Sequence, residues 1–297
     1  MKILLFGADG QLGTQLRTTL AALGDVLALS RQNGGDVTDA DAVRRAVTQF
    51  APDAIVNAAA YTAVDRAESE PDAAYAVNAL ACETLARAAQ DCGAWLVHYS
   101  TDYVFDGSGT RPWREDDVPA PLSVYGASKL AGEEAIREHC ERHIILRTSW
   151  VFSSTGANFV KSILAAARDR ESLTVVNDQW GAPTGVHLLS DITARLLPFL
   201  DNGHAGLYHC VASGFVSRFD FTAFALACAI DCGMPIKAGP DSLRAASTSD
   251  FPSAARRPLN SRLDTTRLRE TFGIEPAPWQ DEVRSTIACI AADAMRR

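Results

Sequence analysis

None of the chain's seven cysteines forms a C-x-x-C pair, and the count is odd. That excludes a disulfide framework and a zinc ribbon and leaves buried free thiols in a reducing compartment. Positive charge is not in excess either. The 28 Lys+Arg against 36 Asp+Glu give a net charge of -8, so nucleic acid is not an expected partner, and only a local basic pocket for one anionic ligand remains open. Long apolar runs are missing. The run Ile3-Leu4-Leu5-Phe6 ends at Gly7, too early for the core of a secretion signal, and no later run approaches transmembrane length. A cytoplasmic protein with no membrane partner is expected. No repeat, low-complexity tract or long charge run breaks the sequence. With 47% hydrophobic and 22% charged residues, the composition is that of an ordinary globular protein.

Short apolar runs instead alternate with longer amphipathic stretches in the first half, the pattern of βαβ units and a parallel sheet. Six strands are expected there: Lys2 to Phe6, Val26 to Leu29, a short one ending near Val37, Ala54 to Asn57, Trp95 to Ser100, and Ile144 to Thr148. Thr38-Asp39-Ala40-Asp41 has capping-box spacing and should open a helix running to about Gln49. Beyond about Trp150 the alternation loosens. Val283, Ile287 and Ile290 then carry helical spacing within Trp279 to Met295, which reads as a closing helix. The expected fold is α/β: a doubly wound parallel sheet with its ligand crevice at the C-terminal strand edge, and a smaller C-terminal lobe. Residues 1–150 read as a dinucleotide-binding domain and 151–297 mainly as a substrate lobe.

Gly7, Gly10 and Gly13 sit between the first strand and the helix after it. Such glycines permit a tight turn and close backbone approach, and the helix N-terminus offers free N–H groups to a pyrophosphate. The spacing is G-x-x-G-x-x-G rather than G-x-G-x-x-G, and such a triplet also occurs in ordinary strand-to-helix turns. At the end of the second strand Ser30-Arg31 stands where an acid would bind a ribose 2′-OH. A cation there favours a 2′-phosphate, so NADPH is the expected cofactor, with NADH as the alternative. Asp36-Val37 could flank the adenine. Tyr125 and Lys129 are four residues apart in Tyr125-Gly126-Ala127-Ser128-Lys129, so on a helix they share one face. A cation beside a phenol stabilises phenolate, so Lys129 is expected to lower the pKa of Tyr125 toward neutrality and make it a usable proton donor.

The glycine loop with Gln11, Asn57-Ala58-Ala59-Ala60, Ser100-Thr101-Asp102-Tyr103-Val104-Phe105-Asp106-Gly107 and Tyr125 to Lys129 together resemble the extended short-chain dehydrogenase/reductase superfamily. The likeness continues through Tyr61 to Glu68, Arg147 to Trp150, Asn177 to Thr184 and Arg257 to Ser261, where it is most similar to the superfamily's reductases of dTDP-linked 4-keto sugars. That resemblance implies NADPH-dependent reduction of the C4 keto group of dTDP-4-dehydro-L-rhamnose, with Tyr125 protonating the C4 oxygen. Lys129 would hold the nicotinamide ribose and tune Tyr125, and Thr101 would hydrogen-bond the reacting oxygen. Gly10, Gln11 and Leu12 would touch the pyrophosphate, Asp36 and Val37 the adenosine end, and Ala60, Tyr61, Thr62 and Tyr99 the nicotinamide side. Asp102 and Trp150 would line the sugar pocket. A sugar diphosphate also needs cations, and Arg256-Arg257 are candidates, Arg257 above all.

Sugar-nucleotide 4,6-dehydratases of the superfamily typically follow the Ser-Thr-Asp run with a catalytic glutamate, where this chain has Tyr103. Dehydration is therefore disfavoured. A non-catalytic NADP-binding regulatory subunit of the same fold stands as the alternative. Some members of the family join two subunits through a metal held by acidic side chains. The positions aligned with two of those acids carry Gln15 and His187 here, and a neutral amide oxygen is a poor ligand for magnesium. The expectation is no metal, and a monomer or a metal-independent homodimer.

Overall fold

The computed structural model describes residues 1–200 and 203–296. Six strands form one all-parallel sheet: β1 (Lys2–Phe6), β2 (Asp25–Leu29), β3 (Ala54–Asn57), β4 (Trp95–Thr101), β5 (His143–Thr148) and β6 (Gly206–His209). Their order is β6-β5-β4-β3-β1-β2. The chain leaves β1 in one direction for β2 and later returns to its other side for β3. A crevice opens at the C-terminal ends of strands where the order reverses in this way.

The strands are near-continuous apolar runs because both sheet faces are covered. Successive side chains point to opposite faces. Ile3, Leu5, Val56 and Val97 pack on one side with Leu16 and Leu20 of α1 (Gln11–Leu20), while Leu4, Phe6, Ile55 and Leu96 pack on the other with Val43 and Val47 of α2 (Ala40–Phe50) and Leu85 of α3 (Ala81–Cys92). Ile136 of α4 (Val124–His139) joins the second cluster. The sheet is thus wound on both faces.

Beyond β5 come α5 (Phe159–Asp169), α6 (Val186–Leu196) and α7 (Arg218–Asp231), with short strands at Trp180–Gly181, Val216–Ser217 and Asn260–Ser261 pairing in a small sheet of their own. The closing helix α8 (Trp279–Met295) forms as its spacing indicated and sends Trp279, Val283 and Ile287 into the first cluster. Among the described residues, no helix is long and apolar enough to cross a membrane.

Two expectations need correcting. No strand ends near Val37: after β2 the chain makes a 3-10 turn at Arg31–Asn33 and passes through Gly34 at φ +91°, a conformation unlike a strand. The sixth strand is β6, whose Leu207, Tyr208 and His209 come from the second half of the chain. The cap of α2 also moves by one residue. Asp39 accepts from the N–H groups of Asp41 and Ala42, while the Thr38 hydroxyl donates to Asp36.

Candidate active site

β1 delivers the chain into Gly7, at φ +78°, where a Cβ would lie 2.5 Å from the Ala59 nitrogen. The loop after β3 therefore presses on the loop after β1. At Gly13, inside α1, a Cβ would fall 2.0 Å from the Gly7 carbonyl oxygen, so the helix can approach its own entry turn only without a side chain. Gly10 is the N-cap and supplies no capping side chain. The N–H groups of the first turn are left for a ligand, and such an end attracts anions. The Gln11 side chain is not part of that cradle. Its Oε1 accepts from Ser153 Oγ at 2.8 Å and Asn158 Nδ2 at 2.9 Å, tying the glycine loop to the second half of the chain.

A trough of about 370 Å³ runs from Gly7 and Gly10 past Ala60 to Arg31, Asp36 and Val37. Arg31 Nε lies 3.8 Å from Asp36 Oδ2, and hydrogen bonds from Thr38 hold the Asp36 carboxyl below its usual range. Through Gly10, Ala58 and Ala60 this trough shares its lining with a larger cleft of about 610 Å³. Gln11, Leu12, Thr62, Tyr99, Thr101, Asp102, Tyr125, Lys129, Trp150 and Arg257 all line that cleft. The cradle of free N–H groups and the groove continuous with it fit a dinucleotide.

Ser123 caps α4 by accepting from the Gly126 N–H at 3.2 Å. At Gly126 a Cβ would meet the Tyr103 carbonyl oxygen at 2.2 Å, which lets the helix close on the end of β4. Tyr125 and Lys129 are one turn apart on it. The Thr101 hydroxyl donates to Asp102 Oδ1 at 3.1 Å and accepts from the Tyr103 N–H. Burial pushes the Asp102 carboxyl up to about 6. Asp102 Oδ2 and Thr148 Oγ1 are buried without a hydrogen-bond partner, and both residues line the cleft. Such atoms mark where a polar ligand would bind.

The expected lowering of the Tyr125 phenol toward neutrality is not what the structure shows. Burial holds the phenol above its usual range, against a lowering by a hydrogen bond with Thr101. The Lys129 amine instead donates to the Tyr99 carbonyl at 2.6 Å and meets His98 Nε2 at 3.0 Å. Burial lowers its pKa. Tyr99 contributes its backbone here, since its phenol is turned to Thr193 Oγ1, 2.6 Å away. Tyr61 does not line the groove: its hydroxyl donates to Glu70 Oε2 at 2.8 Å.

Trp150 is held at φ +48°. Its ring lies against Gly181, where a Cβ would come within 2.8 Å, and carries the Arg218 guanidinium 3.5 Å from the ring centroid. Arg257 reaches the cleft but pairs with Asp65 at 2.5 Å. Arg218 has no carboxylate within ion-pair distance among the described residues, and it faces both this cleft and a second one of about 400 Å³ reaching Gln179, Thr248 and Pro252. It is the more available cation for a diphosphate. No motif marks it in the sequence, where it is one arginine at the start of a helix behind Ser217.

Gln15 Nε2 donates to Thr19 Oγ1, and no group of three or more His, Cys, Asp or Glu side chains poised for a metal occurs among the described residues.

Residues 1–291 match the model of the family described as RmlD substrate binding domain. The chain belongs to that family. It is 47% identical over 289 residues to the dTDP-4-dehydrorhamnose reductase of Escherichia coli strain K12, covering 96% of each chain. Among solved structures, a dTDP-4-dehydrorhamnose reductase from Clostridium acetobutylicum superposes with a TM-score of 0.89 at 33% identity and 100% coverage of both chains. Another from Bacillus anthracis, in complex with NADP, gives 0.88 at 34% identity, covering 96% of this chain and 98% of that one. The chain is an enzyme of this reductase family, with the extended short-chain dehydrogenase/reductase fold.

Proposed function

We propose that this enzyme reduces the C4 keto group of dTDP-4-dehydro-L-rhamnose to give dTDP-L-rhamnose, using NADPH. The observation that carries the reading is the convergence of Thr101, Asp102, Tyr125, Lys129 and Trp150 on one cleft that is continuous with the glycine-loop trough. The likeness to NADP-bound and rhamnose-pathway relatives over nearly the whole chain supports it.

The bound cofactor supplies the hydride for C4. The α1 N-terminus and Gly10 seat the pyrophosphate, and Arg31 meets the adenosine end, where its charge suits a 2′-phosphate. Tyr125, kept protonated by its buried setting, donates its hydroxyl proton to the C4 oxygen as the carbon is reduced. Thr101 orients that oxygen, and Lys129 reaches the nicotinamide ribose. Asp102 and Thr148 take the sugar hydroxyls that their unpartnered oxygens await. Arg218 and Arg257 meet the diphosphate, so residues 151–297 serve mainly as the nucleotide-sugar lobe.

The test is loss of NADPH absorbance with enzymatically prepared dTDP-4-keto-L-rhamnose, run beside NADH. Rapid substrate-dependent loss, faster with NADPH, is expected. Tyr125→Phe should cut kcat by roughly 10²-fold or more while NADPH binding, followed by fluorescence, stays near wild type. NADPH binding without turnover would instead indicate a regulatory subunit of reductase fold.

A further inference from the structure

Gln179, within the segment Asn177 to Thr184, takes no part in the reaction at C4, yet it lines the second cleft of about 400 Å³ and is 7% exposed. That cleft shares Tyr103, Phe159, Arg218 and Arg257 with the sugar cleft, so the two arginines assigned to the diphosphate stand between them. Its other walls are largely apolar, with Ile163 from α5, Val175, Val176, Phe251 and Pro252. Such walls suit a flat base. The Asp178 carboxylate accepts from the Thr248 hydroxyl at 2.6 Å, from the Thr248 N–H at 2.9 Å and from the Ser247 hydroxyl at 3.0 Å. Burial would raise the Asp178 carboxyl, but these hydrogen bonds outweigh it and hold the group below its usual range. It is ionised and can only accept. The Thr248 hydroxyl gives its single proton to Asp178, so toward Gln179 Nε2, 3.1 Å away, it must accept. The amide NH2 of Gln179 therefore faces Thr248, and its Oε1 is left to the cleft with no donor among the described residues. The Gln179 carbonyl accepts from the Arg218 N–H at 2.9 Å, which holds this acceptor beside the cation for the diphosphate.

We propose that Gln179 determines base specificity, accepting the N3–H of a thymine or uracil ring in the second cleft, while Asp178 and Thr248 lock its amide in the accepting orientation. The inference deepens the reading of the ligand as a dTDP sugar and rests on it. Thymine and uracil carry a donor at N3. Cytosine carries a lone pair there, which would set acceptor against acceptor at Gln179 Oε1, and a buried acceptor left in that state is costly. An unrestrained glutamine could turn its amide over and serve either base. Here the turn would set Oε1 against a hydroxyl whose proton is already on Asp178, and a hydrogen bond would be lost at that end. The specificity resides in the relay from Asp178 through Thr248 and not in Gln179 alone.

Isothermal titration of the NADPH-saturated enzyme with dTDP, dUDP and dCDP tests this without turnover. The affinity for dTDP should exceed that for dCDP by roughly tenfold or more, and dUDP, which keeps the N3–H and lacks one methyl group, should bind within about fivefold of dTDP. Gln179→Met should weaken dTDP by roughly tenfold without weakening dCDP. A merely structural glutamine would weaken both alike. Asp178→Asn should invert the relay: its Oδ1 accepts from the Thr248 N–H and the Ser247 hydroxyl, and its NH2 donates to the Thr248 hydroxyl. The hydroxyl proton then turns to Gln179 Oε1, and the Gln179 NH2 turns to the base. The preference should shift toward dCDP by roughly tenfold or more. NADPH affinity near wild type shows that a variant is folded, and one folded variant suffices. Equal affinity for dTDP and dCDP, a dUDP that falls with dCDP, no measurable binding of dTDP, or an unchanged preference in a folded variant overturns the proposal. A preference for dTDP that follows the variants, with no turnover of the keto sugar, would overturn the reductase reading and leave the base specificity standing by itself.

Discussion

Asp102 shows how one residue carries both a cost and a use. Its carboxyl is 2% exposed, and burial raises its pKa from 3.8 to about 6. The native state therefore holds that proton more tightly than the unfolded chain, and stability falls as pH rises through the interval between those values. The difference corresponds to about 3 kcal/mol above pH 6. Asp102→Asn should raise the melting temperature at pH 8 and leave it nearly unchanged at pH 3.5, with calorimetric scans at the two values as the check. Its kcat/KM should drop, since the carboxylate lines the cleft with one oxygen left unpartnered. Arg218 makes a different prediction. A stacked guanidinium is not replaced by a flexible ammonium, so Arg218→Lys and Arg218→Met should both raise the KM for the nucleotide sugar by roughly tenfold or more with little change in the KM for NADPH. Steady-state kinetics with each substrate varied would separate the two.

Elements are held to one another by close backbone approaches. The glycine loop works because α1 passes over its own entry turn at Gly13, with no room for a methyl group against the Gly7 carbonyl. Gly13→Ala should force the turn apart, weakening NADPH binding by roughly tenfold or more and costing about 1–3 kcal/mol of stability. Isothermal titration and urea unfolding would measure the two effects. A nearly silent substitution would mean that the turn has slack. The motifs of these elements were legible because they are local: a turn that needs glycine, or a tyrosine and lysine one helical turn apart, is written in consecutive residues. The placement of the Tyr61 side chain and the path of the segment near Val37 are not legible locally, because both depend on partners elsewhere. Glu70 draws the Tyr61 hydroxyl away from the groove, and Gly35 packs so tightly on Leu29 that the chain turns where a strand was expected.

In the whole molecule, α4, which carries Tyr125 and Lys129, is joined to the sheet by a buried ion pair. Arg147 Nη2 lies 2.6 Å from Glu133 Oε2, Arg147 Nε donates to Oε1 at 2.8 Å, and Ser100 Oγ donates to Oε1 at 2.5 Å. Removing one partner of such a pair leaves the other charge buried and uncompensated. Glu133→Gln is expected to destabilise the protein by about 3–5 kcal/mol, read as a lower urea midpoint with an unchanged slope. A loss below about 1 kcal/mol would show that water reaches the arginine. The two halves of the chain also meet here. β6 completes the sheet from residues 206–209, and Gln11 is bound by Ser153 and Asn158, so the cofactor loop and the second half hold each other in place.

The sequence by itself determined the α/β class, the glycine turn, the end of β4 and the Tyr125 to Lys129 face, because each follows from backbone geometry or periodicity over a few residues. Only the tertiary structure decided that β6 completes the sheet, that Arg218 rather than Arg257 is the less engaged cation, and that Lys129 faces His98. Those outcomes depend on burial and on which donors and acceptors meet across distant segments. Desolvation sets the charge of a buried group, and it is fixed only once every neighbour is in place.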